Sequence, residues 1–260
     1  MVSKSLVRDL GSGELHDLIA DIAEDAARLI LPYWRSNVEV RTKADESPVT
    51  AADQEAEALI LDRLLSRWPG VQTVAEEAVA RNGVPSSAEA WFWLIDPLDG
   101  TRGFISGKDT FTVNIALIHE GWPVAGVVSA PATSTSWRLG PEGAQRRGFG
   151  ETWRSVGVRE RPSDGIAILS HSVTDIEAER LMKQHGCTRW QGADSSIKFC
   201  LIAEGRFDAY PRTNPTHEWD TAAGQAVLEA AGGRVLGPDG KRQAYGKPGF
   251  RNGAFTALGG

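Results

Sequence analysis

Asp96 and Asp99 bracket a proline and a leucine in Asp96-Pro97-Leu98-Asp99-Gly100-Thr101, directly after the apolar run Trp91-Phe92-Trp93-Leu94-Ile95. The run predicts a buried strand, and the Pro and Gly predict that it stops at Asp96. Strand ends of this kind deliver side chains into the crevices where layered α/β folds bind ligands. Two carboxylates in a partly dry crevice repel unless a cation lies between them, so hard-cation binding is the first chemistry suggested. Oxygen donors with water and phosphate completing an octahedron suit Mg2+. Glu76 and Asp220 are further isolated carboxylates at strand or helix ends, and the Leu98 carbonyl is another donor. Plainer roles stand beside these: Asp220 could cap its helix, and Glu76 could be a solvated loop acid.

Gly100-Thr101 adds phosphate chemistry, because a short helix starting there would turn free N–H groups toward the same crevice. Thr101 could cap that helix or orient a water for attack. Asp53 completes Thr50-x-x-Asp53, a capping box with Asp in place of Glu or Gln. It could equally accept the Thr101 hydroxyl proton, and spacing alone does not choose. Gly192-Ala193-Asp194-Ser195-Ser196 with Lys198 resembles a second anion cradle, or an ordinary helix capped by Ser195 with a surface lysine. His217 is read as a loop histidine. Cys187 and Cys200 lack metal-ligand spacing and are read as reduced core thiols.

The elements that must position these residues follow from periodicity. Ser12 is predicted to cap a helix carrying Leu15, Leu18, Ile19, Ile22, Ala26, Leu29 and Ile30 on its apolar side. Residues 43–49 read as a polar loop, followed by a helix opening at Thr50 and ending near Trp68-Pro69-Gly70. Strands are expected at 71–75, 111–118, 123–130, 134–139 and 144–149, the last two joined by a turn at 140–143. The polar stretch 159–165 marks a boundary between an N-terminal α+β lobe, 1–160, and a C-terminal α/β lobe, 161–260. In the second lobe we expect strands at 166–169 and 207–210, and helices at 174–185, 195–203 and 220–231, the last closed by Gly232-Gly233. The whole reads as layered α and β segments, a mixed or antiparallel sheet first and alternating α/β second.

With 260 residues, 41% of them hydrophobic, the chain can bury a large core. A formal charge of −6 argues against a nucleic-acid polymer as partner but not against a small anion met through bound cations. No apolar run reaches membrane-spanning length and no signal core follows Met1, so the expected location is the cytoplasm, with association at a membrane surface left open.

Asp96-Pro97-Leu98-Asp99-Gly100-Thr101 with Trp219-Asp220-Thr221-Ala222-Ala223 resembles the two signature motifs of the inositol monophosphatase superfamily. Ser47-Pro48-Val49-Thr50-Ala51-Ala52-Asp53, the 111–118 strand, the 195–205 stretch and Tyr210-Pro211-Arg212 are similar to its bacterial bisphosphate nucleotidases. The resemblance implies a layered αβαβα sandwich and a magnesium-dependent, lithium-sensitive phosphatase acting on a small phosphate ester, 3'-phosphoadenosine 5'-phosphate (pAp). It implies two or three Mg2+ ions, held by Glu76, Asp96, Leu98, Asp99 and Asp220, with Thr101 and Asp53 activating water. It places Gly100 and Thr101 at the phosphate, Ser196 and Lys198 near the substrate's second phosphate with help from Arg212, and a monomer or homodimer as the assembly. Two departures stand out: Arg102-Gly103-Phe104 where nucleotidases usually have Lys-Glu-Phe, and Ala75 in place of Ser or Gly. The Ile105-Ser106-Gly107 that follows is reminiscent of histidinol-phosphate phosphatases. Inositol phosphate and histidinol phosphate are therefore the alternative substrates, and a non-catalytic metal- or nucleotide-binding member is the remaining one.

Overall fold

The computed structural model describes residues 4–36, 39–43 and 47–260. The chain opens with α1 (Lys4–Ser12), absent from the periodicity reading, and α2 (Glu14–Ile30). Ser12 therefore closes α1 instead of capping α2. The cap position falls to Gly13 at φ 85°, where an added Cβ would stand 2.9 Å from Pro141. Leu15, Ile19, Ile22, Ala26 and Ile30 are fully buried along α2, as their spacing predicts.

Strands β1 (Val40–Thr42) and β2 (Pro48–Thr50) pair as an antiparallel hairpin, so Pro48 and Val49 lie in a strand rather than in the expected loop. Ala44, Asp45 and Glu46, the centre of that expected loop, lie outside the described residues. Next come α3 (Ala51–Arg67), β3 (Gln72–Ala75), α4 (Glu76–Asn82) and β4 (Trp91–Asp99). The capping box at the start of α3 is formed, with Thr50 N donating to Asp53 Oδ2 at 2.7 Å.

Against expectation, β4 runs through Pro97 to Asp99. The physical reason is the shortness of β3, which pairs only with Phe92 to Ile95. Beyond Ile95 the strand has a neighbour on one side only, and the register with that neighbour shifts between Asp96 and Asp99. A proline without an N–H is tolerated at such a bulged edge. After the short helix α5 (Thr101–Ile105) the sheet continues through β5 (Thr112–His119), β6 (Trp122–Ala130), β7 (Thr135–Gly140), β8 (Gly143–Gly148) and β9 (Arg154–Ser155). Its seven strands lie in sequence order, antiparallel except for the parallel β3–β4 pair.

The rest of the chain comprises β10 (Ile166–Leu169), α6 (Asp175–Gln184), β11 (Arg189–Gly192), α7 (Ile197–Ala203), β12 (Ala209–Arg212), β13 (Thr216–His217), α8 (Ala222–Ala230), β14 (Arg234–Leu236), β15 (Arg251–Asn252) and β16 (Phe255–Leu258). A five-stranded sheet has the order β11-β10-β12-β16-β14, and β13 pairs with β15. Three buried clusters define the layering. Trp93, Ile95 and Ile115 pack on the apolar faces of α2 and α3. Phe92, Leu94 and Val128, from the other face of the same sheet, pack with Phe199 of α7, Val227 of α8 and Tyr210 and Phe255 of the second sheet. Ala178, Leu181 and Met182 of α6 cover the far side of that sheet over Ala167 and Leu169. The result is the αβαβα sandwich. The uninterrupted apolar run of β4 is explained by burial on both faces. Strand β6 and helix α8 meet closely at Gly126, where an added Cβ would lie 2.6 Å from Ala226 Cβ.

Candidate active site

The end of β4, the start of α4 and the segment before α8 converge on a cavity of about 760 Å³ lined by Glu76, Asp96, Leu98, Asp99, Thr101 and Asp220. Glu76 begins α4 at the tip of β3, and Asp96 faces it from β4, the parallel neighbour. Asp96 is 2% exposed, and it accepts a hydrogen bond from Leu98 N at 3.0 Å across the bulge. Asp99 is turned by the same bulge toward α7, where Asp99 Oδ2 accepts from Ser196 N at 2.7 Å and Asn114 Nδ2 at 3.2 Å. Asp220 precedes α8 without capping it, because Asp220 Oδ2 instead takes the Thr216 hydroxyl and His217 N, the latter at 3.1 Å.

The electrostatics follow from packing these acids together under cover. Burial pushes Glu76 up to about 7 and Asp220 up to about 6, with Lys43 opposing the first shift and Asp99 reinforcing the second. Asp96 is raised well above the usual carboxylate range, by burial first and then by the charges of Glu76, Asp99 and Asp220. Asp99 is raised by burial, against the pull of Lys198 and of the hydrogen bonds from Asn114 and Ser196. The cation in contact with the group is Lys43, whose Nζ lies 2.6 Å from Glu76 Oε1 and 2.5 Å from Glu77 Oε1. Among the described residues, no three His, Cys, Asp or Glu side chains are drawn together as a ready-made ion cage. The donor set nevertheless fits a hard divalent ion: it is all oxygen, it is buried at Asp96 and Leu98 and half-buried at Glu76, Asp99 and Asp220, and among the described residues Asp96 has no basic side chain as a hydrogen-bond partner.

Asp53 serves two purposes with two oxygens. Oδ2 accepts from Thr50, and Oδ1 lies 3.1 Å from Thr101 Oγ1. Thr101 Oγ1 is also 3.0 Å from Leu98 O. Both neighbours accept, so the single hydroxyl proton points into the protein and the lone pairs are left for the cavity. Burial raises the Asp53 carboxyl, while the Thr50 bonds pull it down. Gly100 adopts φ 93°, the left-handed turn that starts α5, and a Cβ there would sit 3.3 Å from Thr110 O.

Ser196 and Lys198 are not brought to the cavity surface. Ser196, 1% exposed, donates to Asp220 O at 2.6 Å and accepts from Asn114 Nδ2 at 3.0 Å. Lys198 is 2% exposed and not the surface lysine of the plain alternative; its Nζ donates to Ser195 O at 2.6 Å. Ser195 carries φ 56°, and the helix cap is Ser196. Arg212 does line the cavity. His217 is in strand β13 rather than a loop, stacked on Trp219 with ring centroids 4.3 Å apart. Sequence reasoning missed Lys43 and Asn114, and it named Asp194 only as part of the 192–196 cradle; Asp194 lines the cavity and holds Lys108 at 3.1 Å and His171 at 3.0 Å. For Asn114 a signal existed: it is a polar residue inside an otherwise apolar strand.

Residues 14–257 match the family model described as the inositol monophosphatase family. The chain is 38% identical to the 3'(2'),5'-bisphosphate nucleotidase CysQ of Escherichia coli K12, over 90% of this chain and 98% of that protein. In structure it is similar to CysQ from Bacteroides thetaiotaomicron, with a TM-score of 0.78, 31% identity and coverage of 95% and 97% of the two chains. An inositol monophosphatase from Anabaena shares the fold at a TM-score of 0.71 and 24% identity, over 95% of this chain and 90% of that one.

Proposed function

The chain belongs to the inositol monophosphatase family, and on that premise we propose that it hydrolyses the 3'-phosphate of pAp, giving AMP and phosphate. The observation that carries the substrate is the 38% identity to a named bisphosphate nucleotidase over 90% of the chain. Glu76, Asp96, the Leu98 carbonyl, Asp99 and Asp220 would hold two or three Mg2+ ions. When bound, these ions supply positive charge to the phosphoryl oxygens and make a nearby water more acidic. Thr101, with its proton committed inward, accepts a hydrogen bond from the attacking water and orients it. Asp53 draws on the Thr101 hydroxyl and takes up the displaced proton. The N–H groups at Gly100-Thr101 face the phosphate. Ser196 and Asn114 fix Asp99, and Ser196 also ties Asp99 to the Asp220 backbone. Water displaces the alcohol in line, with no covalent intermediate; both cysteines are buried away from the cavity.

One large sheet in each supports the division into lobes 1–160 and 161–260, and the shared cavity, lined by Glu76, Asp96 and Asp99 from the first and Asp220 from the second, supports counting them as one domain. A second reading, inositol phosphate or histidinol phosphate as substrate, is favoured by Arg102 and Gly103, which line the cavity beside Thr101. The deciding experiment measures phosphate release with magnesium, with and without lithium, from pAp, inositol phosphate and histidinol phosphate. We expect lithium-sensitive release with the highest kcat/KM on pAp. Equal rates on all three, or release from none, would overturn the proposal.

A further inference from the structure

Glu76 is the first residue of α4, so the direction of its carboxylate is set by how that helix begins. A helix start leaves its first N–H groups to be satisfied by a cap. The cap position of α4 is Ala75, which carries no side-chain oxygen and makes no capping bond. The acceptor comes from another element. Glu57 Oε2 of α3 accepts from Glu77 N at 2.7 Å, and Glu57 also takes the N–H of Ala78. These are the second and third residues of the helix, the donors that a Ser or Asp at the cap would serve. Glu57 Oε1 accepts from Arg81 Nη2 at 2.9 Å, one turn further along α4.

The contact is dry: Glu57 is 1% exposed and Glu77 2%. An N–H left unpaired in such a place costs far more than one at the surface. Glu57 also lies one helical turn after Asp53, and both are buried on α3. One face of one helix therefore holds the carboxylate behind Thr101 and the start of the helix that presents Glu76. Lys43 is no substitute. It grips Glu76 through a carboxylate oxygen that an ion would claim, whereas Glu57 grips the backbone and leaves that carboxylate free.

We infer that Glu57 is a positioning residue: it supplies from α3 the cap that Ala75 lacks, and so holds Glu76 at the angle at which it binds a divalent ion. This rests on the reading of Glu76 as an ion ligand.

The test uses Mn2+ as the probe, with the free ion followed by electron paramagnetic resonance, on the full chain at neutral pH. Wild type, E76Q, E57A, E57Q and L181A are compared. E76Q identifies the Glu76-dependent site. At that site E57A should raise Kd about tenfold or more, the range for losing a residue that orients a metal ligand. The Mg2+ concentration giving half-maximal phosphate release should rise in parallel, while kcat at saturating Mg2+ stays near wild type. E57Q keeps one accepting oxygen but turns its amide NH2 on the other donors, and should raise Kd by a smaller factor, about threefold. L181A truncates the core between α6 and the second sheet, so it controls for lost stability alone, and its Kd should match wild type. An unchanged Kd in E57A, or in E57Q if E57A does not fold, would overturn the inference, as would an equal rise in L181A. Unchanged binding in E76Q would instead overturn the reading of Glu76 itself.

Discussion

Withdrawing divalent ions should make the protein's stability fall as pH rises, the reverse of ordinary acid denaturation. Burial raises Glu76 from 4.5 to about 7 and Asp220 from 3.8 to about 6, so the folded chain near pH 5.5 holds protons that the unfolded chain has released. A group raised in this way contributes stability that is complete below its unfolded value and lost as pH climbs through its folded value. The window is therefore about pH 4.5 to 7. Each proton held in excess is worth about 1.4 kcal/mol per pH unit, so a two-unit rise costs about 3 kcal/mol. Protonating one acid relieves its neighbours, and we take one such increment for the group. His16 and His185, both lowered by burial, give the opposite slope below their ordinary value of 6.5. They lie outside the cavity and behave alike with or without ions, so the difference between the two conditions isolates the carboxylates. Urea unfolding at pH 5.0, 6.0 and 7.5, in chelator and in saturating magnesium, should show a magnesium increment about 3 kcal/mol larger at pH 7.5 than at pH 5.0. An increment independent of pH, or larger at pH 5.0, would refute the reasoning.

Two further outcomes are expected. Asp53→Asn should lower kcat by about 10²- to 10⁴-fold through loss of the proton acceptor behind Thr101. Thr101→Val should fall in the same range and the double variant little further, a test that separates a shared proton path from two independent effects. Gly126→Ala places a methyl 2.6 Å from Ala226 Cβ and should destabilise by about 1–3 kcal/mol in denaturant titration.

The site was legible where chemistry and spacing coincide within one segment. Asp96 to Thr101 announces itself because buried strands do not ordinarily end in two acids, a proline and a glycine. Thr50 and Asp53 announce a capping box, and the two readings of Asp53 proved compatible once each oxygen had its own partner. What stayed hidden depends on contacts between distant segments. Nothing near Lys43 says that its ammonium reaches Glu76, 33 positions away. Ser196 and Lys198 looked like cradle residues because helix starts display their side chains, but here the start of α7 is sunk beneath Asp99. The continuation of β4 through Pro97 depends on where β3 ends, and the sequence of β4 does not carry that information. Strands β13, β14 and β15 were missed for another reason: each has three residues or fewer, too short to show a period.

Lys43 makes the site a place of exchange rather than of filling. On the proposed assignment, a divalent ion at Glu76 competes with a cation covalently tethered to the chain, because Lys43 Nζ already lies on Glu76 Oε1. Unlike a condensed counterion, the tethered charge cannot diffuse away, and its return is as persistent as the hairpin that bears it. Affinity for the ion is then a difference between two attractions to one carboxylate, and it can be retuned from the lysine's side without altering any donor atom.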